Sequence, residues 1–340
     1  MSDVTLIGLD IAKSVFQVHG VNADGTRVLS RRLRRRQVIE FFARQPRCLI
    51  AMEACAGSHY WGRVFQDLGH SVRLLPAREV KPFVRRPKTD VSDAAAIAEA
   101  ARRPELRSVP VKSETNQAEC SAHATRDLLV RQRTAFINAL RAHLLEFGVV
   151  APAGAAGRAR LFEQVRGAEL EELPELLGVA AQGILEAIEA LERSAAAIED
   201  ALATKAKANA TAKRLQEVPG IGPLTASALV AFAGDPRRFK SARHFVAWLG
   251  LAPRVEASGG RTRIGGITKS GPEYLRRLLV HGARSLLRVK PGARDPWFNR
   301  LLARRPAAVA ITALAAKQAR IAWAMMDRDE PYRPRLAKAA

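Results

Sequence analysis

Strand-like patterning fills the first 76 residues of this 340-residue chain and gives way, after Pro104 and Pro110, to helical periodicity. That order predicts an α/β unit followed by an all-α remainder. VTLIGL (4–9) is apolar and β-prone, VFQVHGV (15–21) alternates, and TRVLSRRL (26–33) follows a turn at Asp24-Gly25, which together read as a three-strand meander. A helix near 36–44 leads into CLIAME (48–53), an apolar run short enough to be a buried strand. A helix over 60–68 and a strand at SVRLLP (71–76) complete a mixed sheet expected to be covered on both faces.

The helical remainder divides at glycine and proline clusters. Leu129, Phe136, Leu140, Leu144 and Phe147 fall at helical spacing, and Gly148 reads as the stop that follows them. APAGAAG (151–157) reads as a flexible break. Ile184, Ile188, Leu191, Ala195, Ile198 and Leu202 then recur at steps of three and four. Such a seam suits an antiparallel hairpin, a coiled coil between subunits, or a helix packed on its own domain. Near Lys213 a third region starts, in which VPGIGPLTASALVAF (218–232) sets glycines before a helix. The pattern suits a helix-hairpin-helix element whose backbone around Gly220 and Gly222 grips a nucleic-acid phosphate, and it equally suits a plain helix start. Arg254 to Lys269 reads as a Gly- and Arg-rich loop, with a helix from about Pro272. The expected organisation is an α/β domain over 1–110, a helical, coiled-coil middle over 111–212, and a small, mainly helical C-terminal domain over 213–330.

Charge narrows the function. Lys and Arg number 55 against 33 Asp and Glu, a net charge of +22, which is the footprint of a protein that neutralises many phosphates. RRLRRR (31–36) and Arg85-Arg86-Pro87-Lys88 supply basic surface, while aromatic residues at 6% leave little for base stacking, so the backbone would be the part held. Cys48, Cys55 and Cys120 lack metal spacing and read as packing residues of a reduced, cytoplasmic protein. The seven histidines are scattered singly, which argues against zinc. The apolar stretch 307–316 is too short for a membrane span of about 18 residues.

Inside this basic chain four carboxylates stand out. Asp10 ends the first strand and Glu53 the fourth, so that if the two strands are neighbours both acids emerge at one edge of the sheet. Asp90 and Asp93 lie three apart at the start of an alanine-rich helix and share a face. Hard oxygen ligands in such a group suit two Mg²⁺ ions about 4 Å apart. Each acid also has a plain alternative: Asp10 as a turn residue, and Asp90 with Asp93 as an N-cap and capping box. Glu53 resists this, because a carboxylate ending the apolar run CLIAM is partly buried and needs a partner.

GLDIAK (8–13), MEACAGSHYW (52–61) and KTDVSDAAAIAEAA (88–101), followed by VPGIGPLTASALVAFAGD (218–235), resemble the DEDD transposases of the insertion sequence 110 class over nearly the whole length. The resemblance implies a RuvC-like N-terminal domain of RNase H fold whose tetrad, here Asp10, Glu53, Asp90 and Asp93, binds Mg²⁺. It also implies a C-terminal transposase domain with a serine nucleophile, which falls on Ser258 within LAPRVEASGGRTRIGGITKSG (251–271). This stretch departs from the family in having no further serine directly after Gly259-Gly260 and in being about one residue shorter after Arg263. A structured bridge RNA that pairs with target and donor DNA is implied as well. So is a homo-oligomer, dimer or tetramer, with an active site shared between subunits.

A serine hydroxyl is a weak nucleophile that needs a base or a metal, and no histidine lies near Ser258. Metal held by the tetrad would activate it, and Arg254, Arg261 and Arg263 would hold the scissile phosphate. Lys13, Arg85, Arg86, Lys88 and Lys269 would grip the nucleic-acid backbone. A phosphoserine intermediate keeps the phosphoester energy, so strands are exchanged and resealed without ATP. Ser270 competes for the role, but Ser270 to Glu273 (SGPE) reads as an N-cap, a proline near N1 and a capping-box acid. Other readings are a junction-resolving endonuclease that activates water and a non-catalytic nucleic-acid-binding protein. A small-molecule kinase fits poorly, since Ile-Ala-Lys follows Asp10 where a kinase needs Gly and Ser or Thr for ATP phosphates.

Overall fold

The computed structural model describes residues 4–87, 89–167, 174–291 and 294–333, and the chain forms two compact units, Met1–Gln117 and Ala118–Ala340. The first unit contains β1 (Leu6–Ile11), β2 (Val15–Val21), β3 (Arg27–Arg34), α1 (Val38–Ala43), β4 (Leu49–Glu53), α2 (Ser58–Asp67), β5 (Ser71–Leu75), α3 (Ala77–Val80) and α4 (Asp90–Ala101). Its five-stranded sheet has the order β3-β2-β1-β4-β5, with β1 antiparallel to β2 and parallel to β4. The expected mixed sheet is therefore present.

Strand alternation sends successive side chains to opposite faces. Ile7, Leu9, Phe16, Val18, Ile50 and Met52 join a core with Val38 and Phe42 of α1 and Trp61 and Phe65 of α2. Leu6, Val21, Ala51 and Leu75 join Ala96, Ile97 and Ala100 of α4 in a second core. The alanines of α4 let it lie very close to the sheet. A Cβ on Gly8 would stand 2.2 Å from the Ala94 carbonyl oxygen and 2.6 Å from the Ala98 nitrogen. Arg73 fixes the far end of this helix: its Nη1 donates to Ala101 O at 2.6 Å and its Nη2 to Arg103 O at 2.9 Å.

The second unit holds most of α5 (Glu114–Leu145), then α6 (Gly154–Arg166), α7 (Glu175–Ala208), α8 (Ala210–Leu215), α9 (Pro223–Ala233) and α10 (Ala242–Trp248). After these come β6 (Pro253–Ser258), β7 (Arg261–Ile267), α11 (Glu273–Ser285), α12 (Pro296–Leu302) and α13 (Ala307–Arg328). Helix α6 begins inside the stretch expected to be a flexible break, so only its first residues are irregular. The reason is packing: a Cβ on Gly157 would fall 1.7 Å from Pro152 O, so small residues here mark a close approach.

Helices α5 and α7 run antiparallel. Glu119 pairs with Lys205 at 3.5 Å, Arg126 with Glu199 at 2.7 Å and Arg133 with Glu192 at 3.6 Å, partners that advance along one helix as they retreat along the other. Ile137, Leu140 and Leu144 pack with Leu161 and Val165 of α6 and with Leu185 and Ile188 of α7. The buried stripe of α7 runs through Ala181, Leu185, Ile188, Ala195 and Leu202, so Ile184, Leu191 and Ile198 of the expected seam flank it half-buried.

A larger core joins α8 to α13, with Ala310, Leu314, Ala315, Ala319 and Ala322 of α13 buried in it. His123, fully buried on α5, ties this core together: Ser227 of α9 meets its Nε2 at 3.1 Å and Tyr274 of α11 its Nδ1 at 3.2 Å. No described helix is long and apolar enough to cross a membrane.

Candidate active site

Register sets the first two acids. Leu9 of β1 is the partner of Met52 of β4, and one further step along these parallel strands brings Asp10 level with Glu53. Asp10 also stands opposite Gln17 of β2, and Gln17 opposite Arg32 of β3, so Arg32, Gln17, Asp10 and Glu53 form one row across the sheet. Alternation places that row on the α4 side, since Leu6 and Gly8, the same-face neighbours of Asp10 along β1, meet α4. Asp10 and Glu53 are both half-buried. The exposed Cys55 beside them reports their closeness: partial desolvation, then Glu53, then Asp10 push its thiol up from the ordinary value. Cys55 is thus not a core residue as expected, whereas Cys48 and Cys120 are buried.

Helix α4 runs opposite to β1. Arg102, just past its C-terminus, donates to Asp24 O in the β2–β3 turn at 3.1 Å, which is the Leu6 end of the sheet. Its N-terminus, with Asp90 and Asp93, therefore points toward the Asp10 end. Capping does not explain those two acids. Thr89 is the N-cap, its Oγ1 accepting from Ser92 N–H at 3.2 Å while Ser92 Oγ accepts from Thr89 N–H at 2.8 Å. Asp90 and Asp93 are left at N1 and N4, the first exposed and the second half-buried. Oδ1 of Asp93 is buried and without a hydrogen-bond partner, an arrangement that is costly unless something else satisfies it.

That orphaned oxygen and a donor set made only of carboxylates fit a hard divalent cation. The side chains as they stand are more open than a formed cage: among the described residues no group of three or more His, Cys, Asp or Glu is close enough to hold a metal ion.

Ser258 closes β6, and the stretch expected to be a loop is a two-stranded hairpin. Ser258 pairs with Arg261, Ala257 with Thr262, Glu256 with Arg263 and Val255 with Ile264. Gly259 and Gly260 turn the chain with φ of 55° and 73°, the left-handed pair that a tight two-residue hairpin requires. The alternating residues on either side of Gly-Gly carried this signal in the sequence. Every residue of β6 is exposed, as are Arg261 to Gly266 of β7. Directly opposed residues share a face, so Ser258, Arg261, Glu256 and Arg263 line one side and Ala257, Thr262, Val255 and Ile264 the other.

The hairpin's feet are fixed. Thr268 N–H donates to Ala252 O at 2.9 Å and Lys269 N–H to Gly250 O at 3.0 Å, with Lys269 holding φ of 56°. Arg276, buried on α11, donates through Nη1 to Leu249 O and Ser270 O, both at 3.0 Å. Sequence reading passes over Arg276, because one arginine in an amphipathic helix carries no local signal. The expectation for Ser270 is corrected: α11 has Pro272 at its N-cap without a side-chain cap, and Ser270 Oγ lies 3.1 Å from Thr268 Oγ1 instead. The hydroxyl sits too far ahead of the first helical turn to cap it.

Of the remaining candidates, Lys13 lies exposed in the β1–β2 turn, and Arg85, Arg86, Arg254, Arg261, Arg263 and Lys269 are exposed as well. Lys88 lies outside the described residues. Gly220, with φ of 86°, is pressed against Gly282 O and Gln318, so packing alone demands glycine there, while Gly222 is exposed as the N-cap of α9.

Comparison with known proteins gives the family. A family described as "Transposase IS116/IS110/IS902 family" matches residues 212–297, and a DEDD "Transposase" family of the same IS110 type matches residues 7–148. The chain is 47% identical over 336 residues to a Pseudomonas aeruginosa protein described as "Probable family 20 transposase", covering 98% of this chain and 99% of that one. It is 41% identical over 330 residues to the transposase for insertion sequence element IS1328 of Yersinia enterocolitica, covering 95% and 97%. It is 38% identical over 347 residues to the transposase for insertion sequence element IS1111A of Coxiella burnetii, covering 98% and 92%. The chain belongs to the IS116/IS110/IS902 family of transposases.

Proposed function

We propose that this transposase cuts and rejoins DNA through a phosphoserine intermediate, with Ser258 as the nucleophile and Asp10, Glu53, Asp90 and Asp93 as ligands of Mg²⁺. The observation that carries the reading is the meeting of strand and helix ends. Parallel strands bring Asp10 level with Glu53, and α4 points its N-terminal acids, which its own cap leaves unused, toward the same end. The sheet order and the helices on both faces support an RNase H-like domain. When bound, Mg²⁺ supplies Lewis-acid stabilisation of the phosphate and lowers the pKa of an attacking oxygen. Arg254, Arg261 and Arg263, exposed on the hairpin, bind the charged phosphate. Lys13, Arg85, Arg86, Lys88, Lys269 and the Gly220–Gly222 turn, as a helix-hairpin-helix element, hold the backbone.

Domains over 1–110, 111–212 and 213–330 divide these tasks. The net charge of +22 exceeds what one duplex demands, which supports a structured guide RNA beside the DNA. The enzyme works in the cytoplasm as a homo-oligomer. Substituting Ser258→Ala is expected to abolish the covalent protein–DNA adduct, and Asp10→Ala or Glu53→Ala is expected to lower strand transfer by at least about a thousandfold while DNA is still retained. Adducts that persist in Ser258→Ala would exclude that serine. Adduct-free cleavage surviving the change would favour a nuclease that activates water. Sequencing of RNA that copurifies with the protein tests the guide.

A further inference from the structure

Resting on the phosphoserine reading, we propose that Glu256 is the proton acceptor for Ser258. Glu256 is the only acid between Asp235 and Glu273, a stretch that carries eight lysines and arginines. It stands two residues before Ser258 on β6, and the cross-strand pairs Ser258–Arg261 and Glu256–Arg263 set both side chains on one face of the hairpin. A surface built only to hold phosphate gains nothing from a carboxylate in its middle, since like charges repel. Nor is the acid committed to a structural ion pair: among the described residues Glu256 has no salt-bridge partner within 4.0 Å, although Arg263 faces it directly. No histidine lies in the hairpin to take the proton.

In cleavage, the Ser258 hydroxyl proton passes to the Glu256 carboxylate, directly or across one water, as Oγ forms a bond to phosphorus. The bond from phosphorus to the leaving sugar oxygen breaks, and that oxygen takes its proton from water. In rejoining, a sugar hydroxyl gives its proton to water as it attacks, the bond from phosphorus to Oγ breaks, and Glu256, now a carboxylic acid, returns the proton to Ser258. One residue thus serves as base in one direction and acid in the other.

The test uses the full chain with Mg²⁺, the RNA that copurifies with it and duplex oligonucleotides carrying the ends of the element. Covalent adduct is followed on denaturing gels from pH 5 to 9. Glu256→Gln is expected to slow adduct formation about a hundredfold or more, to remove the acidic limb of the pH–rate profile, and to leave a rate that climbs with pH. DNA retention should be unchanged or tighter, and Glu256→Asp, which keeps the charge on a shorter arm, should restore part of the rate. A Glu256→Gln rate within about threefold of the parent overturns the proposal. So does a slowed variant that keeps the acidic limb or loses DNA retention, since either marks a structural role. Ser258→Ala, run in parallel, separates the two ideas: adduct without the serine refutes the nucleophile, whereas an adduct-free Ser258→Ala beside a fast Glu256→Gln refutes Glu256 alone.

Discussion

The two halves of the proposed chemistry are built in opposite ways. The acid end of the first unit sits on a sheet with a core on each face, where Ile7, Leu9, Ile50 and Met52 are fully buried and α4 touches backbone at Gly8. The Ser258 hairpin has no covered face: Val255 and Ile264 are 63% and 70% exposed. An isolated two-stranded hairpin is marginal in water, so this one depends on its feet, through Arg276 and the Gly250–Lys269 contacts. Metal ligands need fixed spacing, which buried strands provide. A nucleophile that must reach DNA and let it go needs the opposite, a rigid base and a free tip.

The largest expected effect breaks the rigid half. Gly8→Ala places a methyl 2.2 Å from the Ala94 carbonyl oxygen, which is backbone and cannot swing aside. Helix α4 must lift, moving Asp90 and Asp93 away from Asp10 and Glu53. We expect a loss of about 3 kcal/mol in urea unfolding, the upper range for overpacking, together with loss of strand transfer. Unfolding within about 0.5 kcal/mol of the parent would mean that α4 is not pressed on β1 as described.

Much of the rigid half was legible beforehand. The strands of the meander and CLIAME were readable because alternation and short apolar runs are local signals, and the placing of Asp10 and Glu53 at strand ends follows from them. Their level registration was not, because strand order comes from cores that no single segment encodes. The cap of α4 lies one residue ahead of where the plain alternative for Asp90 and Asp93 puts it: Thr89 and Ser92 form the box, and an acid pair at the same spacing mimics one. The free half was less legible. Gly259-Gly260 reads as loop glycine although the flanking residues alternate, and Arg276 and His123 find Leu249, Ser227 and Tyr274 at separations of 27, 104 and 151 positions, which no local pattern shows.

The core that carries the hairpin's feet has its own weak point. Burial, and secondarily Arg126, hold His123 well below its ordinary value, at about 4, while Ser227 and Tyr274 use both ring nitrogens. Above pH 6.5 the imidazole is neutral folded or unfolded. Between pH 6.5 and about 4 the unfolded chain takes up a proton that the folded one refuses, so stability declines as pH falls across that window. The shift corresponds to about 3 kcal/mol. Half-buried His59 in the first unit is also lowered to about 4, chiefly by desolvation, and adds a smaller decline of the same sign. Comparing urea unfolding of the parent and His123→Gln at pH 7 and pH 4.5 isolates the buried residue. The variant should be less stable at pH 7 and lose less on acidification. An identical acid response would show that His123 is not held neutral.

The smallest expected effect probes the free half. Gly259 and Gly260 both occupy left-handed backbone, and neither has any atom within 4 Å of where a Cβ would stand, so alanine there meets no clash and is opposed only by its own φ. Each substitution should cost about 1 kcal/mol, and the strain falls on a hairpin that adds little to the unit's core. Global unfolding should therefore barely move, while the turn that aims Ser258 relaxes and strand transfer drops about fivefold, the rate equivalent of that energy. If instead Gly260→Ala lowered global stability as much as Gly8→Ala, the hairpin would be an integral part of the fold rather than a tip carried by its feet. If it changed neither stability nor transfer, the tight turn would not be what presents the serine. A loss of transfer at unchanged stability is the outcome that keeps the two halves distinct, one aligned by buried registration and the other by a two-residue turn.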